Sequence, residues 1–142
     1  MKTKSLLFAA VVAAMLLTML ALPAMADEDT AMWVSRVRLA WNGRSSSSPD
    51  RVVGMVHVRD ANLAAVDGAL VTAEWTLPNG TQVVATALTD FQGIATIETW
   101  AGGGSYTLCV TDVAKAGWVY APDLNLETCG ALLVKWPFHP KN

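Results

Sequence analysis

Between Val52 and Val113 the chain alternates short β-branched runs with turn signals: Asp-Ala-Asn, Asp-Gly, Pro-Asn-Gly and Asp-Phe-Gln-Gly. The turns recur about every ten residues, a spacing that leaves room for strands and none for helices of ordinary length. A chain punctuated this way buries its apolar residues by packing one antiparallel sheet on another. No helical periodicity competes with it and no internal repeat is present.

The alternation predicts the individual strands. Trp33–Trp41 has period two, with Trp33, Ser35, Val37, Leu39 and Trp41 on one face and Val34, Arg36 and Arg38 on the other. Val52–Arg59 follows with Val52, Gly54, Val56 and Val58 inward, then Ala69–Leu77 with Val71, Ala73, Trp75 and Leu77 inward. Gln82–Leu88, Ile94–Trp100 and Tyr106–Val113 come next, the last with Tyr106, Leu108 and Val110 inward. A closing strand falls within Trp118–Val134. The expected fold is all-β: about seven antiparallel strands in two sheets, an immunoglobulin-like sandwich. Its expected core is Trp75, Val56, Val71, Leu108 and Val110.

The first 26 residues read as a cleaved secretory signal peptide. Lys2 and Lys4 precede an apolar run, Leu6–Leu22, broken only by Thr18; Pro23 and Ala24-Met25-Ala26 supply a small-residue cleavage site. The expected mature domain is residues 27–142, exported, with no second apolar run long enough to span a membrane. Removal of Lys2 and Lys4 leaves eight Lys and Arg against twelve Asp and Glu, a net charge of −4. An acidic chain repels phosphate backbones, so nucleic acid is not an expected partner. Arg36, Arg38, Arg44, Arg51 and Arg59 gather in the N-terminal third, where the alternation turns them to solvent.

Cys109 and Cys129 can oxidise in an exported protein. One hairpin register, centred on Val119, pairs them and also pairs Thr107 with Ala131, Leu108 with Gly130, Thr111 with Glu127 and Asp112 with Leu126. Leu108, Val110 and Leu126 then point inward. The bridge is expected on the outer face of its sheet rather than between sheets.

Catalytic and metal chemistry find no footing. Asp60, Asp67, Asp90 and Asp112 lie at strand ends, but no Asp-x-Asp-x-Asp-Gly spacing occurs, and turn carboxylates ordinarily accept backbone N–H groups. His57 and His139 belong to no His-Glu-x-x-His or Cys/His cluster. No Gly-x-Ser-x-Gly elbow is present, and Glu74 and Glu98 lack a cleft. The expectation is no enzyme and no cofactor. Asn79-Gly80-Thr81 fits a glycosylation sequon and reads as a turn. Of the six tryptophans, Trp100, Trp118 and Trp136 sit at loop edges or near the C-terminal end, where an indole can stack on sugar or anchor a protein. They are the candidate binding residues, the alternative being that they cap the ends of the sandwich, since tryptophan is buried on average.

VHVRDANLAAVDGALVTAEWTLPNG resembles the strand–turn–strand pattern of bacterial Ig-like domains, invasin-type and carboxypeptidase-regulatory-like modules of secreted proteins. LTDFQGIATI and YTLCVTDVAKAGWVYAP are similar to later segments of the same modules, and the resemblance spans Met32–Asp123. Leu63-Ala64-Ala65 stands where the pattern has Gly-x-Pro. The resemblance implies a non-catalytic recognition, adhesion or accessory module acting on an extracellular protein or polysaccharide. The second reading is a carbohydrate-binding module that uses the exposed tryptophans.

Overall fold

The computed structural model describes residues 30–42 and 50–135. The expected signal peptide, Arg44, Trp136 and His139 lie outside the described residues. Among the described residues eight strands form: β1 (Ala31–Asn42), β2 (Arg51–Asp60), β3 (Leu70–Thr76), β4 (Gln82–Leu88), β5 (Ile94–Trp100), β6 (Gly104–Ala114), β7 (Val119–Tyr120) and β8 (Cys129–Val134). A single 3-10 turn, Pro122–Leu124, lies between β7 and β8. The strands make two four-stranded sheets, ordered β5-β2-β1-β7 and β4-β3-β6-β8. Every long-strand pairing is antiparallel; only β7 runs parallel, along the start of β1.

The inward phases of both sheets meet in one core. Val52, Val56 and Val58 of β2 face Val71, Ala73 and Trp75 of β3 and Tyr106, Leu108 and Val110 of β6, all buried. Gly54 lies at the centre. A Cβ there would collide with the Leu108 side chain and lie 3.3 Å from Trp75 Cη2. The missing side chain is what lets the Trp75 ring cross between the sheets. That ring is 1% exposed, and its Nε1 has no hydrogen-bond partner among the described residues.

The first strand departs from strict alternation. Its register with β2 shifts between Val34 and Arg36, so Ser35 is a surplus residue. Such a β-bulge changes which phase points inward. Met32 and Val34 are therefore buried before the bulge and Val37 after it, while Trp33, expected on the core side, turns outward. Leu39 and Trp41 still pack against the core.

The closing strand is also two pieces rather than one. The hairpin register holds where Thr107 faces Ala131, Leu108 faces Gly130 and Cys109 faces Cys129. It goes no further than a hydrogen bond from Val110 N–H to the Thr128 carbonyl (2.8 Å). Thr111 and Glu127 do not pair, nor do Asp112 and Leu126. Leu126, expected in the core, is 74% exposed. Two physical causes act together. A second irregularity, in β6 opposite Thr72 and Ala73, ends the regular ladder. The segment that follows β7 is then held along β1, at the bulge. Val34 N–H donates to Asn125 Oδ1 (2.8 Å), Leu126 N–H to the Val34 carbonyl (3.0 Å), and Val37 N–H to Glu127 Oε2 (2.8 Å). Two side chains thus satisfy backbone groups that have no strand partner there.

Cys109 and Cys129 form a disulfide, with their Cα atoms 4.1 Å apart. The adjacent Val110–Thr128 hydrogen bond makes Cys109–Cys129 a non-hydrogen-bonded pair, the position where opposed Cα atoms come closest. Leu108 and Val110 point into the core, so the bridge lies on the outer face of the β4-β3-β6-β8 sheet.

Candidate binding surface

Arginines concentrate on the outer face of the other sheet. On β1 the outward phase after the bulge begins with Arg36 and Arg38, followed by Ala40 and Asn42; on β2 it is Arg59, His57, Met55, Val53 and Arg51. The β1–β2 register sets Arg36 directly opposite His57, Trp33 opposite Arg59 and Arg38 opposite Met55. Opposed residues on one sheet face lie about 5 Å apart at Cβ, so three guanidinium groups surround one imidazole. Arg36 and Arg38 are exposed, and no carboxylate among the described residues pairs with Arg36, Arg38 or Arg59. Arg59 Nη1 donates to the Gln92 carbonyl (2.9 Å) and keeps its charge uncompensated.

His57 reports the resulting field. Its pKa is lowered by partial burial first, then by the charges of Arg59, Arg36 and Arg38; Asp90 opposes them. Each of these arginines disfavours a further proton at the centre of the cluster.

Trp100 lies at the far end of the same sheet. It ends β5 opposite Arg51, is 64% exposed, and has the Arg51 guanidinium 4.5 Å from its ring centroid. Arg51 also meets Glu98 at 3.5 Å, the one ion pair among the described residues. Both partners are well exposed, so the pair contributes little to stability. It does hold a cation against one face of the indole and leaves the other open.

Trp118 is half-buried just before β7, with Lys115 Nζ 5.1 Å from its ring centroid. β7 and β5 are opposite edges of one sheet, and their tryptophans sit at opposite ends of it. Trp100 and Trp118 therefore do not form a row. Trp33, which sequence reasoning placed inward, is the aromatic residue that joins the arginines.

The sequence brings the arginines to the N-terminal third but not to one patch, because the charges come from two strands. Arg36 and Arg38 share a phase, and so do Arg51, His57 and Arg59. That agreement is the available signal; the register that joins the two sets is long-range.

Two of the strand-end aspartates, Asp60 and Asp90, are occupied locally. Asp60 Oδ1 accepts the N–H groups of Asn62 and Ala64, and Asp90 Oδ1 those of Gln92 and Ile94, at 2.8–3.0 Å. Among the described residues no group of three His, Cys, Asp or Glu is placed to hold a metal ion. Nor is any described helix long and apolar enough to cross a membrane. No protein-family model matches this chain, and no curated protein or solved structure matches it either.

Proposed function

We propose that this chain is an exported, non-catalytic recognition domain of bacterial Ig-like type, and that the outer face of β1, β2 and β5 binds an acidic polysaccharide. The observation that carries the ligand class is the uncompensated Arg36–Arg38–Arg59 cluster around His57, on a chain whose overall charge is negative. Like charges held together without partners destabilise a fold, and a polyanion relieves that repulsion. Arg presents a planar fork that matches carboxylate and sulfate groups. Trp100, with one open face, offers a stacking surface for a sugar ring.

Other observations favour a hydrated polymer over a lipid surface. The exposed Val84, Leu88, Leu70 and Leu133 lie on the opposite sheet, while on the sheet that carries the arginines the exposed large apolar side chains are Trp100 and, at its edge, Val119. The Ig-like reading draws support from the strand order. β2 and β3 lie in different sheets, as do β4 and β5 and then β5 and β6, so the chain crosses between layers repeatedly. Export is supported by the amino-terminal leader pattern and by the disulfide.

The test is binding of the purified protein to immobilised heparin, polygalacturonate, neutral dextran and single-stranded DNA. The expected result is salt-sensitive retention on the acidic polysaccharides and none on dextran. The triple variant Arg36→Gln, Arg38→Gln, Arg59→Gln should weaken it at least tenfold, about 1.4 kcal/mol, and Trp100→Ala should weaken it further. Retention on DNA alone, or binding unchanged in the triple variant, refutes the polysaccharide reading.

A further inference from the structure

We infer that β4 is a self-pairing edge, through which two copies of this chain join their β4-β3-β6-β8 sheets into one. The phase of the β3–β4 ladder is fixed at both ends: Leu77 N–H donates to the Thr81 carbonyl (2.9 Å) and Thr89 N–H to the Ala69 carbonyl (2.8 Å). With Trp75 opposite Val83, Ala73 opposite Ala85 and Val71 opposite Ala87, those pairs exchange the ladder bonds. Gln82, Val84, Thr86 and Leu88 then point their N–H and C=O groups away from β3. β4 pairs with no other strand along that side among the described residues.

An open edge of this kind is normally blunted by a charge, a proline or a bulge. β4 has none: it reads Gln-Val-Val-Ala-Thr-Ala-Leu in an uninterrupted register. Its outward apolar side chains are bare, with Val84 64% and Leu88 63% exposed. The remaining edges differ. β5 carries Glu98, β7 has two residues, and Gly130 of β8 lies against Val37 and Leu39 of β1.

A second copy is the occupant the edge fits. A two-fold axis sets the residues beside it near their own counterparts, which an uncharged strand tolerates and a charged one does not. An axis through Ala85 pairs Gln82 with Leu88 and Val84 with Thr86 of the second copy, so every outward backbone group finds a partner. On the inner side Ala85 meets its own counterpart at the axis and Val83, 43% exposed, faces Ala87 of the second copy, so the approach is close and the contacts there are apolar. Residues 136–142 are a poorer fit, because Pro137 and Pro140 supply no N–H.

The axis of an antiparallel edge pair is perpendicular to the sheet. Both β5-β2-β1-β7 sheets then lie on one side of the joined sheet, and their outer faces point the same way.

Sedimentation equilibrium of the purified protein tests this. The expected result is a monomer–dimer equilibrium with a dissociation constant of roughly 1–100 µM, in keeping with a small interface. Thr86→Pro removes an outward N–H that β3 does not use, and Val84→Lys places like charges across the axis; each should raise the constant at least tenfold. Adding Thr86→Glu to Val84→Lys restores opposite charges across the axis and should recover the dimer. A protein that stays monomeric at about 500 µM, or a dimer indifferent to Val84→Lys, overturns the inference. Neither result bears on polysaccharide retention by the monomer.

Discussion

Gly54 of β2 lies beneath the Trp75 ring of β3, where a Cβ would fall within 3.4 Å of both Cη2 and Cζ2 and collide with Leu108. The three residues meet between the two sheets with no room for a further carbon. Gly54→Ala is expected to destabilise the fold by about 1–3 kcal/mol through overpacking, although alanine suits a strand better than glycine. Trp75→Ala leaves a cavity instead and should cost about 3–5 kcal/mol. Urea unfolding of both variants checks the pair. A neutral Gly54→Ala would mean that the sheets can separate at no cost.

Leu63 has φ +63°, the left-handed region that disfavours a branched, bulky residue. Its N–H donates to the Asp60 carbonyl (3.0 Å), which fixes the turn between β2 and β3. The family-like pattern has glycine at this step, and the backbone gives the reason. Leu63→Gly should stabilise the protein by about 1 kcal/mol, because the side chain is exposed and contributes little packing. A lower melting temperature in the glycine variant would show that the turn is not strained.

The Cys109–Cys129 bridge closes a separation of 20 residues. Replacing both cysteines by serine should cost about 3 kcal/mol, through the larger freedom of the unfolded chain. Because the bridge faces solvent and the core lies on the other side of the sheet, the serine variant should stay folded with a lower melting temperature. Loss of the β-sheet circular dichroism signal at 25 °C would contradict that placement.

His57 supplies a pH dependence. Burial and the three arginines hold its folded pKa below the usual 6.5. Well above pH 6.5 the imidazole is neutral in both states and adds no dependence. As pH falls through 6.5 and on toward the folded value, the unfolded chain takes up the proton first, and stability is lost over that window. His57→Gln should flatten the stability profile there. A bound polyanion should raise the His57 pKa, measurable by proton NMR titration, because it offsets the arginine charges. No shift on addition of heparin would separate His57 from the ligand.

Local turn chemistry made much of the fold legible. Pro78-Asn79-Gly80 leads into β4 and Asp90-Phe91-Gln92-Gly93 into β5, and the observed spans coincide with the expected Gln82–Leu88 and Ile94–Trp100. Gly93 shows why that turn is sharply marked: its φ is +72°, and a Cβ would lie 2.7 Å from the Val58 carbonyl oxygen. The bulge was illegible because Ser35 carries no local signal; it is defined by β2 across the sheet. The split of the last strand was hidden for a similar reason, since Asn125 and Glu127 are recruited by N–H groups about 90 residues earlier. Long-range register likewise made the arginine cluster, so Trp100 was visible as a candidate and Trp33 was not.

The surplus residue in β1 reconciles the two halves of the strand. Strict alternation through Ser35 would carry the phase of Val37 back along the strand, turning Met32 and Val34 out and Trp33 in. Leaving Ser35 out of the count is what keeps Met32, Val34 and Val37 together inside. Deleting Ser35 should therefore preserve both faces of the strand, because Val34 would lead directly into Arg36 and every partner on β2 would stay the same. A loss of three nucleotides at this codon would straighten β1 without changing what is inside or outside, and would disturb only the kink on which Asn125 and Glu127 are seated.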